Sequence, residues 1–383
     1  MGNPETRKYV VLAAGDPAPW FRQRSLAGGD FNIDVAAGRY ILLCFFASAG
    51  TNEGRAALAA VARHRRLFDD DHLAFFGVTH DANDEREARI VEAYPGIRHF
   101  LDYNGVIGQL YGALPTNSAH GTSVPVRCQW VLLDPTLRIA RIWNFDESGA
   151  DHVAVFSALA RLPKPGFHAG FEVPAPILII PDVFNPEMRQ MLIDYYGQHG
   201  GEDTGFMTSE GGRTVGRIDF SHKRRKDCMI EDVDLMRLTQ KWVQRRIVPE
   251  ILKVHQFKVT RMERYLIGCY SAEDGGHFRA HRDNTTAGTA HRRFAVSINL
   301  TDDFEGGEVI FPEYGMRGYK APAGGAVIFS CSLLHMVSRV TAGRRFAFLP
   351  FLYDEAASAL RERNNALLDE SVERYDPNRE MAA

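Results

Sequence analysis

The sequence predicts two domains in tandem: an α/β domain first, then a mainly β domain of sandwich or jelly-roll type with helices packed outside. Three observations carry that prediction. The chain has 383 residues, more than one ordinary core holds. Its first half alternates apolar runs of strand length with helix-like segments, the pattern of helices laid over a central sheet. Its second half, after two helical stretches, becomes a series of short apolar runs separated by turns rich in Gly, Asp and Pro.

In the first half, "YILLCFFAS" (Tyr40–Ser48) and "LAFFGVTH" (Leu73–His80) read as strands. "EGRAALAAVARHRRLF" (Glu53–Phe68) has helical spacing and good helix formers. "DEREARIVEAY" (Asp84–Tyr94) reads as a second helix, and "VRCQWVLLDP" and "RIARIWNF" as two strands about a turn at Asp134-Pro135. "PKPGFHAGFEVPAP" (Pro163–Pro176) has four prolines, two glycines and no periodicity. It marks the boundary between a first domain, 1–165, and a second, 176–354.

In the second half, Asn185 and Pro186 fit the N-cap and first position of a helix over "NPEMRQMLIDYYGQHG". "DVDLMRLTQKWVQRRIVPEILKV" reads as a long helix broken near Pro249. The strands follow: "RYLIGCY", "RFAVSINL", "GEVIF", "GAVIFSCS" and "RRFAFLPFLY". The charged tail, 355–383, is expected to be an outer helix with a frayed end.

Composition excludes several classes of function. Hydrophobic residues make up 45% and charged residues 24%, as in ordinary globular domains. A net charge of −3 gives no global field for nucleic acid or an anionic membrane, so neither is expected as a partner. No apolar run approaches roughly eighteen residues, so no transmembrane helix is expected. The start, "MGNPETRKYVVLAAGDPAP", lacks the apolar core of a secretory signal. The residues after Gly2 match a myristoylation site poorly. Cys44, Cys128, Cys228, Cys269 and Cys331 are odd in number, scattered and without a Cys-x-x-Cys pair. That pattern implies a reducing compartment, the cytoplasm.

The stretch "CYSAEDGGHFRAHRDN" (Cys269–Asn284) holds the strongest chemical signal. Of the fourteen histidines, only His281 is followed two places on by an acid, Asp283. In extended chain such a pair points to one side, and an imidazole with a carboxylate makes half a metal site. "SLLHMVSRVTAGRRFAF" offers His335 as a third ligand. Two histidines and a carboxylate form the facial triad of non-haem Fe(II) oxygenases, although a zinc hydrolase could use the same set. Singly, each residue could be an ordinary core or surface residue. Arg345 adds weight, because its planar fork suits the far carboxylate of an α-keto acid, an interaction worth roughly 1.5–3 kcal/mol. Arg344, on the opposite face of the same strand, should be solvated or paired.

These features resemble the Fe(II)/2-oxoglutarate-dependent dioxygenases, specifically the prolyl-4-hydroxylase-like group. The matching residues are Tyr270, "GGHFRAHRD", "RRFAVSINLTDDFEGGEVIFPE", "PAGGAVIFSCSLLH" and "HMVSRVTAGRRFAF", in the family's order from about Tyr265 to Tyr353. The resemblance implies a double-stranded β-helix, with His281, Asp283 and His335 as the catalytic iron ligands. It assigns Arg345 to the far carboxylate of 2-oxoglutarate and Tyr270 to the same pocket, and matches Gly306-Gly307-Glu308 to the turn before the second histidine. It implies Fe(II), 2-oxoglutarate and O2 as cofactors, with ascorbate as an accessory reductant. The reaction implied is hydroxylation of a protein or small-molecule substrate, releasing succinate and CO2. Asp283 favours hydroxylation over halogenation, which in this family goes with a small residue there. His277 and His291 flank the site in sequence, where solvated loop histidines are the simpler expectation. "GRTVGRIDFSHKRRKD" (Gly212–Asp227), with six basic residues besides His222, reads equally as a substrate lid or a solvated charge run.

The first half resembles the peroxiredoxin branch of the thioredoxin fold, from about Gly15 to Leu162, through "GDPAPWF", "YILLCFFAS", "FLDYNGVIGQLYGA" and "VRCQWVLLDPTLRI". The resemblance implies a thioredoxin-like α/β domain but breaks at the active site. Where the family has Pro-x-x-x-Thr-x-x-Cys, this chain has Ala47, Thr51 and Gly54. A thioredoxin-style alignment puts Gly50 and Glu53 at the two cysteine positions. Arg127 matches the arginine that activates the thiolate, yet the thiolate is missing. Peroxidase chemistry is therefore expected to be lost, leaving recruitment of a substrate or partner, or a homodimer interface, as the domain's role. Two other functions stay open: thiol redox chemistry at Cys44 or Cys128, and a non-catalytic binding module.

Overall fold

The computed structural model describes residues 7–116, 124–370 and 372–376; Gly2 and the end of the charged tail lie outside them. The chain divides into two compact units, Met1–Pro174 with Pro312–Gly315, and Ala175–Phe311 with Met316–Ala383.

The first unit is α/β. Its main elements are β1 (Tyr40–Ala47), α1 (Asn52–Arg63), β2 (Leu73–Thr79), α2 (Ala82–Arg86), β3 (Ile97–Leu101), β4 (Gln129–Leu133), β5 (Ile139–Asn144) and α3 (Ala150–Leu159). The sheet order is β3-β2-β1-β4-β5. β1, β2 and β3 run parallel, while β4 and β5 join by antiparallel ladders. This is a thioredoxin-like arrangement. β1 and β2 are central and buried on both faces, which is why they read as unbroken apolar runs.

The helix expected over Asp84–Tyr94 does not form beyond Arg86. Asp84 is fully buried, and its carboxylate accepts the Ala49 amide at 2.9 Å and the Thr79 hydroxyl at 2.5 Å. Ala88 then takes a left-handed conformation, φ 50°, and ends the helical path. Tertiary hydrogen bonds have overridden a good helical composition.

The second unit is mixed but dominated by sheet. Its helices are α4 (Pro186–His199), α5 (Val233–Arg246), α6 (Val248–His255) and α7 (Glu355–Arg363). Asn185 caps α4 by accepting the Met188 amide at 3.0 Å. Asp232 caps α5, and Ile247 separates α5 from α6 just before Pro249.

The main strands are β6 (Leu178–Ile180), β7 (Phe206–Glu210), β8 (Arg213–Arg217), β9 (Lys223–Arg224), β10 (Lys226–Met229), β11 (Arg261–Glu263), β12 (Leu266–Ser271), β13 (His277–His281), β14 (Phe294–Asn299), β15 (Val309–Ile310), β16 (Gly318–Tyr319), β17 (Ala326–Ser330), β18 (His335–Val337), β19 (Arg344–Phe348) and β20 (Phe351–Tyr353). The large sheet runs β11-β20-β14-β19-β12-β10 and ends on the two-residue strand Glu202–Asp203 beside β10, with β17 pairing β14 and β6. The small sheet runs β9-β13-β18-β15-β16. The run "RRFAFLPFLY" is two strands, because Leu349-Pro350 interrupts it.

Gly212–Asp227 is neither a free loop nor a uniformly solvated run. It contributes the second strand of the β7–β8 hairpin and then β9 and the start of β10, with Lys223, Arg225 and Asp227 buried. No helix among the described residues is long and apolar enough to cross a membrane.

Candidate metal centre and cosubstrate pocket

β13 and β18 are adjacent antiparallel strands of the small sheet, and His281 lies directly opposite His335. The ladder slips between Phe278 and His281, where three steps along β13 match two along β18. Such a bulge re-aims a side chain. It brings the His281 ring onto Phe278, 3.6 Å between centroids, although the two residues would alternate in a regular strand. Asp283 follows just past the strand end, tied back by its amide to the Cys331 carbonyl at 3.0 Å.

His281, Asp283 and His335 each offer a ligand atom, and these atoms lie within 4.8 Å of one another. His281 Nδ1 donates to the Arg279 carbonyl at 2.7 Å, and His335 Nδ1 to that of Leu333 at 3.0 Å. A carbonyl only accepts, so both Nδ1 atoms carry a hydrogen, and Nε2 is the nitrogen each ring can offer to a metal. Those Nε2 atoms face Asp283, at 3.5 Å from Oδ1 for His281 and 3.3 Å from Oδ2 for His335. Burial pushes His335 down to about 4 against the pull of Asp283, which keeps its ring neutral near pH 7. Burial alone would raise the Asp283 carboxyl, but His335 and His281 outweigh it and hold the group well below the usual carboxylate range. Two imidazole Nε2 atoms and an ionised carboxylate converging on one point fit a divalent cation.

Arg345 stands on β19 in the large sheet, opposite Tyr270 on β12. It is 2% exposed. Its Nε donates to Asn299 Oδ1 at 3.0 Å and its Nη2 to Ser297 Oγ at 2.6 Å, while Nη1 is buried with no hydrogen-bond partner. A buried orphan donor on a cation is expensive unless an acceptor arrives. Burial also draws the Arg345 guanidinium below its usual value. Both observations fit an anionic ligand. Arg344, on the other face, is exposed and meets Glu273 at 3.4 Å. Gly307 allows this packing: at φ 67° it takes a left-handed conformation, and a Cβ there would stand 3.0 Å from Arg345 Cδ.

Tyr270 is buried under the Arg345 guanidinium, 5.2 Å from carbon to ring centroid. It packs in one cluster with Phe278 of β13 and Val337 of β18. The pocket of Arg345 and the strands of the triad therefore share a core.

His277 is held by the Gly275 and Ser221 carbonyls. His291, expected as a solvated loop histidine, is 1% exposed and sits 3.1 Å from the buried Glu263, which also pairs with Arg292 and Arg361. Ser297 and Asn299, the partners of Arg345, escaped the sequence reading. Their signal was available: two polar residues at alternate positions of an otherwise apolar strand.

In the first unit, a Cβ on Gly54 would lie 2.0 Å from the Ser48 carbonyl oxygen. Thr51 caps α1, accepting the Gly54 amide at 3.0 Å and donating to Ser48 at 3.0 Å. Arg127 lies over the Tyr9 ring, 3.3 Å from its centroid. Cys44 is fully buried and burial raises its thiol well above normal. Burial, and then Glu53, push Cys128 up to about 11.

Residues 264–353 match the family model described as the 2OG-Fe(II) oxygenase superfamily. A PKHD-type hydroxylase of Thioalkalivibrio sulfidiphilus is 29% identical over 141 residues, covering 34% of this chain and 63% of that protein. The PKHD-type hydroxylase PiuC of Pseudomonas aeruginosa is 32% identical over 122 residues, covering 28% of this chain and 51% of that one. The chain thus spans less than two thirds of the length of these curated relatives. Among solved structures, a Trichoplax adhaerens prolyl hydroxylase in complex with a hypoxia inducible factor peptide aligns at TM-score 0.39 and 16% identity, over 48% of this chain and 86% of that one. The peroxidoxin BcpB of Mycobacterium tuberculosis aligns at TM-score 0.33 and 17% identity, over 40% of this chain and all of that one.

Proposed function

We propose that the second unit is an Fe(II)- and 2-oxoglutarate-dependent hydroxylase built on a double-stranded β-helix. The carrying observation is the convergence of His281, Asp283 and His335, with both Nδ1 atoms spent on backbone carbonyls and both Nε2 atoms turned to the carboxylate. The small and large sheets serve as the two halves of the β-helix. In this reading His281 Nε2, Asp283 and His335 Nε2 hold the iron. Arg345 Nη1, the orphan donor, takes the far carboxylate of the keto acid. Iron with a chelated keto acid supplies the oxidising power for hydroxylating a C–H bond, with succinate and CO2 as coproducts. Phe278, packed on His281, and Phe329, 4.5 Å from the His335 ring, set apolar rings against the two histidines. The substrate is a protein or small molecule.

The first unit we read as a peroxiredoxin-like domain without peroxidase chemistry. Its cysteine position is occupied by a glycine against which the main chain is packed, and its two thiols are raised rather than lowered. Five free cysteines suit a reducing, cytoplasmic setting. The test is succinate formation from 2-oxoglutarate with Fe(II), using ascorbate to keep the metal ferrous. Wild type should give succinate, and His281→Ala should give none and bind no metal in equilibrium dialysis. Undiminished metal binding in that variant would refute the assignment.

A further inference from the structure

We propose that Arg225 is a positioning residue of the cosubstrate pocket. Clamped by Asp227, it fixes the Tyr270 hydroxyl so that this O–H donates to the same distal carboxylate that Arg345 holds. The inference rests on the 2-oxoglutarate reading above.

Arg225 and Asp227 come from the basic stretch that composition offers as a lid or a solvated run. Both are buried. Arg225 Nε donates to Asp227 Oδ1 at 2.5 Å and Nη2 to Oδ2 at 2.7 Å, a two-pronged clamp that fixes the guanidinium plane. The remaining prong, Nη1, donates to the Tyr270 hydroxyl at 3.2 Å. Gly268 makes room for this arginine, since a Cβ there would stand 2.9 Å from Arg225 Cδ. Asp227 is anchored in turn by the Thr204 hydroxyl.

A phenol oxygen that accepts from Arg225 must aim its own hydrogen elsewhere. No acceptor for that hydrogen is found among the described residues. Arg345 Nη1 likewise lacks a partner and belongs to the residue opposite Tyr270 in the ladder. Two buried donors without acceptors thus stand side by side, and one carboxylate has lone pairs enough for both. Asp227 does not neutralise Arg345, because its charge is already shared by Arg225, clamped to it, and Arg264 at 3.6 Å; burial pulls the nearby Lys223 down to about 6, so it adds little charge near pH 7. The surplus positive charge favours an anion at this place.

The test is calorimetric titration of the Mn(II)-loaded protein with two probes. One is 2-oxoglutarate; the other is 2-oxobutyrate, which keeps the keto acid head but lacks the far carboxylate. The variants are Tyr270→Phe, Arg225→Lys and the double. Arg225→Lys keeps a cation beside Asp227, and an unchanged affinity for 2-oxobutyrate certifies the fold. Each single variant should bind 2-oxoglutarate about tenfold more weakly. The double should be no weaker than the worse single, because both act through one hydrogen bond. Wild-type affinity in Arg225→Lys, equal loss of both probes, or losses that multiply in the double would each overturn the role of Arg225. A wild type that binds 2-oxobutyrate but gains nothing from the second carboxylate, or binds neither probe, overturns the 2-oxoglutarate reading and this inference with it.

Discussion

Two backbone carbonyls, those of Arg279 and Leu333, decide which nitrogen His281 and His335 turn toward Asp283. Spacing in the sequence could bring the three residues to notice, but not this tautomeric control, which depends on the local turn. Arg345 shows the same division. Its place on a strand after His335 was legible, whereas its support by Ser297 and Asn299 required β14 and β19 to pair across more than forty residues of chain. Arg345→Ala should weaken apparent 2-oxoglutarate affinity by roughly tenfold or more while sparing metal affinity. Steady-state kinetics with varied keto acid, beside a metal-binding measurement, would show it; an unchanged keto acid dependence would remove Arg345 from the pocket.

Elements were most legible where periodicity was strong and capping chemistry local. The N-cap at Asn185, the break at Pro249 and the apolar strands β1, β2, β12 and β14 follow from the residues themselves. The segment after Arg86 did not, because the hydrogen bonds of Asp84 to Ala49 and Thr79 draw it out of a helix. Gly212–Asp227 was ambiguous for a related reason: Lys223, Arg225 and Asp227 look like surface residues until their mutual burial is seen. Asp227→Ala should therefore destabilise the second unit by about 3–5 kcal/mol, since it leaves buried cations unpaired; urea denaturation would measure this. At the start of α1, Gly54→Cys should not acquire peroxide reactivity and should lower stability, because the Ser48 carbonyl occupies the space of the new Cβ. Rapid peroxide consumption by a folded Gly54→Cys protein would contradict that geometry.

The whole molecule combines an α/β unit whose thiols are raised and a sheet-rich unit with a metal-ligand geometry. Order and type of the two units were readable because alternation of strand and helix differs visibly from serial short strands. If chemistry resides in the second unit alone, cysteine alkylation should leave 2-oxoglutarate turnover unaffected and iron chelation should abolish it. The first unit carries its own pH signature. Burial pushes His99, packed among Phe46 and Phe75, down to about 4, below the ordinary 6.5 of an unfolded chain. Between those values the unfolded chain takes up a proton that the folded one refuses. Stability should therefore fall as pH drops from about 6.5 toward 4, by up to about 3 kcal/mol from this group. His99→Leu should flatten that dependence in denaturation curves followed across the same window.

Anaerobic titration of the Fe(II)-loaded protein with 2-oxoglutarate, followed by visible absorption, shows whether the triad holds metal and keto acid together. Wild type should give a charge-transfer band from the metal–keto acid chelate, and His281→Ala should give none. Absence of the band in folded, iron-loaded wild type would contradict the 2-oxoglutarate reading, because the triad would then hold a metal without holding this cosubstrate.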